Sequence, residues 1–170
     1  MQKSFNVTDD LLASKGQRFL NYIIDLIAQY AIAFAVGITA VFVAELSGMY
    51  GFVDWIQGMN TIEEYLLGAV ILIIYYSIIE IIFAQSLGKA VTKTMVVMHD
   101  GSKPDSGTIL RRTFCRLIPL NHFSFLGNPS RGWHDSISDT YVVDKQKLEE
   151  RMNLHSAFEE LGQNGGVSNY

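Results

Sequence analysis

Leu26–Ala44, LIAQYAIAFAVGITAVFVA, is nineteen residues without a charge, and from Phe19 onward the only interruption is Asp25. A helix needs roughly 20 apolar residues to cross a bilayer core, so this run crosses with some tilt. A second run, Tyr65–Gln85, is broken only by Glu80. Buried helices of soluble proteins seldom carry apolar side chains all round over such lengths. A cleaved signal peptide has an apolar core of about 7–15 residues, shorter than the first run, which also contains Asp25. No Lys or Arg occurs between Phe19 and Gln85. The connecting loop, residues 47–64, carries the acids Asp54, Glu63 and Glu64. By the positive-inside rule both termini are expected to be cytoplasmic and the loop external. The expected fold is therefore a membrane α-helical hairpin of two transmembrane helices over residues 19–85.

Hydrophobic residues make up 49% of the chain and mean hydropathy is +0.19, high for a sequence whose last quarter is polar. The net charge of −4 combines a basic middle with an acidic tail. Basic residues between Lys89 and Arg131 are interspersed with acids, which points away from nucleic acid. Cys115 is the lone cysteine and has no metal or redox spacing around it. The sequon Asn6-Val7-Thr8 falls on the side expected to be cytoplasmic and is set aside. No cofactor is expected.

Residues 1–18 are read as a cytoplasmic N-terminal segment, with Ser14 as N-cap of the first helix and Ser4–Thr8 as a possible short strand. Residues 86–144 form a cytoplasmic region. Within it Thr92–His99 (TKTMVVMH) is β-rich and stops at the Asp100-Gly101 turn signal, and Thr140–Val143 is a second β-branched run. Paired, they make a small cytoplasmic β-sheet that needs backing, since two strands alone are marginal. Ser106–Ile118 reads as an amphipathic helix ended by Pro119. Leu110, Phe114, Leu117 and Ile118 fall on one side, with Arg111, Arg112 and Arg116 on the other. Such a helix suits the membrane interface, its arginines touching anionic lipid headgroups. The alternative is packing on the sheet with a solvated basic side. Residues 145–170 are expected to be a polar helix to about Leu161 and then disordered.

The polar residues inside the apolar runs carry the functional question. Arg18, Asn21, Tyr22, Asp25 and Gln29 share one side of the first helix, with Asp25 roughly 10 Å deeper than Arg18 at about 1.5 Å per residue. The stripe continues as Ala33, Gly37, Ala40 and Ala44, small residues that permit close helix contact. Glu80, nine residues before Lys89, is expected at a depth similar to Asp25, with Tyr76 and Ser77 on its side. A charged carboxylate at mid-membrane costs on the order of 3 kcal/mol, less near the interface, so compensation is required. Asp25 and Glu80 could bind a cation or proton. In the structural reading, Arg18 bends inward and neutralises Asp25.

Gly16-Gln17-Arg18-Phe19-Leu20-Asn21-Tyr22-Ile23-Ile24-Asp25 resembles the start of the RDD family of bacterial membrane proteins, which is named for one Arg and two Asp. Arg18 and Asp25 match the first two, and Asp135 in Arg131-Gly132-Trp133-His134-Asp135 matches the third. Gln85-Ser86-Leu87-Gly88-Lys89 and Asp139-Thr140-Tyr141-Val142-Val143 also fit, so the resemblance covers about Ser14 to Asp144. Many relatives have a further apolar span before the last motif. Here Leu117–Pro129 (LIPLNHFSFLGNP) is too short to cross and at most re-enters the membrane or lies at its surface. The resemblance implies a bacterial cytoplasmic-membrane protein, for which transport of unknown ligands, including cation/proton exchange, has been suggested.

Two function classes follow. In the first, the chain is a non-catalytic membrane module or accessory subunit, with Arg18, Asp25 and Asp135 as a structural polar network. In the second it is a transporter using Asp25 and Glu80, which requires an oligomer, because two helices cannot enclose a polar path. Either class implies a homo-oligomer or a subunit of a membrane complex. An enzyme is not expected: His134-Asp135 is unaccompanied by a metal, Walker or nucleophile-elbow pattern. Trp133 is read as an interfacial anchor and His134 as a surface or sheet-edge residue.

Overall fold

The computed structural model describes residues 5–127 and 129–165. Helix α1 spans Lys15–Ser47 and opens at the expected cap: Ser14 Oγ accepts from Gln17 N at 3.2 Å, while Gln17 Oε1 accepts from Ser14 N at 2.8 Å. This reciprocal pair satisfies two of the free N–H groups of a helix start. At the other end Gly48, at φ 71°, closes α1 through a bond from its N–H to Ala44 O. Helix α3, Thr61–Phe83, starts in the same way, with Asn60 and Glu63 as the reciprocal pair. Both helices are long and apolar enough to cross a membrane, and no residue in the most apolar window of α1 is buried inside the protein. Ile27, Tyr30, Phe34 and Phe42 are 63–71% exposed. A soluble core helix would hide these side chains; hydrocarbon is the solvent that suits them.

The loop between the two helices holds a short helix, α2, Gly51–Gln57, that was not expected. It folds back on α1. The small-residue stripe therefore faces α2: Ala33, Gly37 and Ala40 line a groove of about 680 Å3 together with Val53, Ile56 and Gln57. A side chain at Gly37 would meet nothing within 4 Å, so the stripe is not a tight contact with α3.

Beyond α3 the chain turns at Ala84 into α4 (Leu87–Val91), which packs on α1, and then into strand β1 (Thr94–Val97). Helix α5, Ser106–Cys115, lies against α3 and ends three residues earlier than expected, as its last turn loosens toward Pro119. A 3-10 turn at Asn121–Leu126 and helix α6 (Trp133–Ile137) lead to strand β2 (Tyr141–Asp144). The strands pair antiparallel, Thr94 with Asp144 through Val97 with Tyr141. Their backing comes from a small core of Val7, Leu11, Val97, Val143 and Leu148. The proposed strand at Ser4–Thr8 does not form among its described residues. Val7 N donates instead to His99 O at 2.8 Å, and an isolated bridge joins Leu12 to Val143. Helix α7 spans Lys145–Gly165, so the tail stays helical past Leu161; residues 166–170 of the expected disordered end lie outside the described residues.

Candidate functional site: a buried ion-pair cluster

The polar side of α1 meets α3, α4, α5 and α6 at one place. Asp25 is 1% exposed, and four donors surround its carboxylate. Tyr75 Oη and Gly88 N each reach Oδ1 at 2.7 Å, while Ser86 Oγ and Tyr76 Oη reach Oδ2 at 2.6 and 3.2 Å. Tyr75 and Tyr76 project from α3, and Ser86 and Gly88 from the α3–α4 corner. Asp25 thus pins that corner to α1. Arg18 does not bend to Asp25 as anticipated, because its guanidinium turns to Asp135, on α6. One turn along from Arg18, the Asn21 carboxamide bonds with the hydroxyls of Thr92 and Thr94.

Glu80 is fully buried and sits among three cations: Lys89 Nζ at 2.6 Å, Arg116 Nη2 at 2.9 Å and Arg112 Nε at 3.4 Å. Arg116 also stacks over the Tyr76 ring, 3.8 Å from its centroid. Arg112 is the hinge of the cluster. Its Nη1 bonds Asp135, and Thr140 Oγ1 lies 2.5 Å from the same nitrogen. The ion pairs therefore run as one chain from Arg18 through Asp135, Arg112 and Glu80 to Lys89 and Arg116. Such charge-assisted contacts in a low-dielectric site are strong only when every member is paired.

Two sequence expectations are corrected here. Arg112 and Arg116 do not meet headgroups: they are 0% and 7% exposed and face the acids. The helix is amphipathic as predicted but turned inside out, because a buried carboxylate on a neighbouring helix outbids water for a guanidinium. Arg111 alone of the three is exposed, with its Nη2 donating to Ser138 O at 3.0 Å. His134 is likewise not at the surface. It is 5% exposed, with Nδ1 3.0 Å from Asn121 Oδ1 and Nε2 3.3 Å from Asp135 Oδ1. Trp133 is about half exposed.

Burial pushes the Asp135 carboxyl up, but Arg112 and Arg18 outweigh it and hold the group well below its usual range. Burial keeps His134 neutral, with its pKa well below the ordinary value of 6.5, despite Asp135 beside it. The unfolded chain therefore binds a proton at this residue that the fold refuses. Stability is complete above about pH 6.5 and declines as pH falls below it, by at most about 1.4 kcal/mol per unit. In thermal melts of detergent-solubilised protein, His134→Gln is expected to flatten the loss seen in the unchanged protein between pH 7 and 5. Parallel pH profiles would contradict this.

Arg18 and Asp135, far apart in sequence, thus pair directly, with Asp25 held by its own donors nearby, and an RDD family model matches residues 12–139. The chain belongs to the RDD family. No curated protein and no solved structure matches it. The RDD-motif residues are therefore Arg18, Asp25 and Asp135, of which Arg18 and Asp135 pair directly while Asp25 binds separate donors. The sequence reading of this RDD protein overlooked Lys89, Arg112 and Arg116 as counter-ions of Glu80. The four-residue spacing of Arg112 and Arg116 was the available signal, since it puts both on one side of a helix.

Proposed function

We propose that this RDD protein is a non-catalytic membrane module or accessory subunit whose motif residues are structural. In this reading α1 and α3 cross the cytoplasmic membrane as a hairpin, with both termini on the cytoplasmic side. The single observation that carries it is that each intramembrane acid offered by the sequence is filled from within the chain. Asp25 has four donors and Glu80 three cations, all supplied by the chain itself. The outer surface supports a membrane setting for α5 as well. Leu110, Phe114, Leu117, Leu120 and Phe123 are 39–71% exposed while Arg112 and Arg116 point inward. That distribution is the reverse of a water-facing helix, and acyl chains at the headgroup boundary match it. Lipid and a protein docked on the cytoplasmic face are the partners of such a module.

One observation favours the rival reading, an oligomeric transporter: among the described residues no Lys or Arg lies within 4 Å of Asp25, so this acid alone could exchange a proton or cation. Purified protein in liposomes loaded with a pH dye separates the two. The module predicts no pH change on sodium or potassium addition and reduced folded yield for Arg18→Ala. A cation-dependent pH change that Asp25→Asn abolishes would establish transport instead.

A further inference from the structure

We propose that the polar core binds one small monovalent anion of halide size beside Arg112 and Arg116. The charges inside the cluster do not balance. Arg18, Lys89, Arg112 and Arg116 are four cations, and Asp25, Glu80 and Asp135 are three carboxylates, all buried. A net charge in a low-dielectric interior demands a counter-ion. Two donors mark where it belongs. Arg112 Nη2 and Arg116 Nε are buried and have no hydrogen-bond partner, while Arg112 Nη1 pairs with Asp135 and Arg116 Nη2 with Glu80; Arg112 Nε, 3.4 Å from Glu80 Oε2, makes no hydrogen bond either. Both residues line a small pocket of about 30 Å3, together with Arg18 and Lys89. That volume holds one water-sized guest and is too small for a phosphate or a lipid headgroup. Asp25 also borders the pocket, but its two oxygens are already occupied by four donors, so they do not compete for the guanidinium N–H groups. A water would satisfy the donors and leave the surplus charge; a halide does both. The site serves the same core as the proposed module, but it does not depend on what the module docks.

The test uses full-length protein in mild detergent at pH 7 and constant ionic strength, with chloride or bromide replacing gluconate stepwise. The melting midpoint is expected to rise saturably by roughly 5 °C or more, because a ligand bound only by the folded state stabilises it. Arg116→Gln brings the count to three against three, so this variant is expected to melt at the same temperature in chloride and gluconate. Equal midpoints for the unchanged protein in the two salts would overturn the proposal, with water filling the pocket or Lys89 neutral. So would a rise that tracks ionic strength rather than halide, or full halide dependence retained in Arg116→Gln.

Discussion

Gly88→Ala is expected to remove most folded protein from the membrane, although it adds a single methyl group. Gly88 is where α4 presses on α1. A Cβ there would lie 2.8 Å from Asn21 Cα and 2.9 Å from Asn21 C, which are backbone atoms of a long helix and cannot rotate aside. The helices must separate, and separation breaks the 2.7 Å bond from Gly88 N to Asp25. Overpacking alone costs about 1–3 kcal/mol, and losing a bond to a buried charge costs about as much again. Together this is a large part of the usual stability of a domain. Size-exclusion of detergent extracts reads the loss directly. Gly68→Ala is the control, since nothing lies within 4 Å of a Cβ at that position. Equal monodisperse yields for the two variants would show that α4 is free to move off α1.

Asp135→Asn is expected to be the most damaging isosteric change. The side chain keeps its size, but Arg18 and Arg112 lose their shared counter-ion inside a site from which water is excluded. Removing one partner of a buried pair costs about 3–5 kcal/mol, because the charge left behind stays buried. Here two charges are left. Arg112 keeps Glu80 on its other side, so the larger share of the damage falls on Arg18, whose remaining bond is to Ser130 O at 3.3 Å. The melting midpoint of Asp135→Asn should drop further than that of Asp139→Asn, whose carboxylate is exposed and lies 3.4 Å from Arg131. Similar midpoints would mean that the buried pairing is not formed.

The apolar helices and the N-cap of the first were legible because they depend on local sequence: nineteen uncharged residues, Ser14, and the two β-branched runs that pair. Which acid meets which base was not. Arg18 and Asp25 share a helix side, which made their pairing look natural, yet seven residues along a straight helix leave them about 10 Å apart in height. Asp135, brought in on α6 from 117 residues away, stands level with Arg18. The direction of α5 was misjudged for a related reason. In water its arginines would face out; beside a membrane helix carrying Glu80, burial against that acid wins, and the apolar side turns outward. Periodicity identifies the two sides of a helix but not the solvent each will meet.

A double-mutant cycle on Arg18 and Asp135 tests the central claim, that these two motif residues belong to one buried ion-pair cluster. Melting of Arg18→Met, Asp135→Leu and the double variant would be compared with the unchanged protein in the same detergent and salt. If the two charges are buried together, the double variant is more stable than the summed losses predict, by about 2 kcal/mol or more. Losses that simply add would contradict the cluster and, with it, the structural role assigned to the Arg and Asp of the motif.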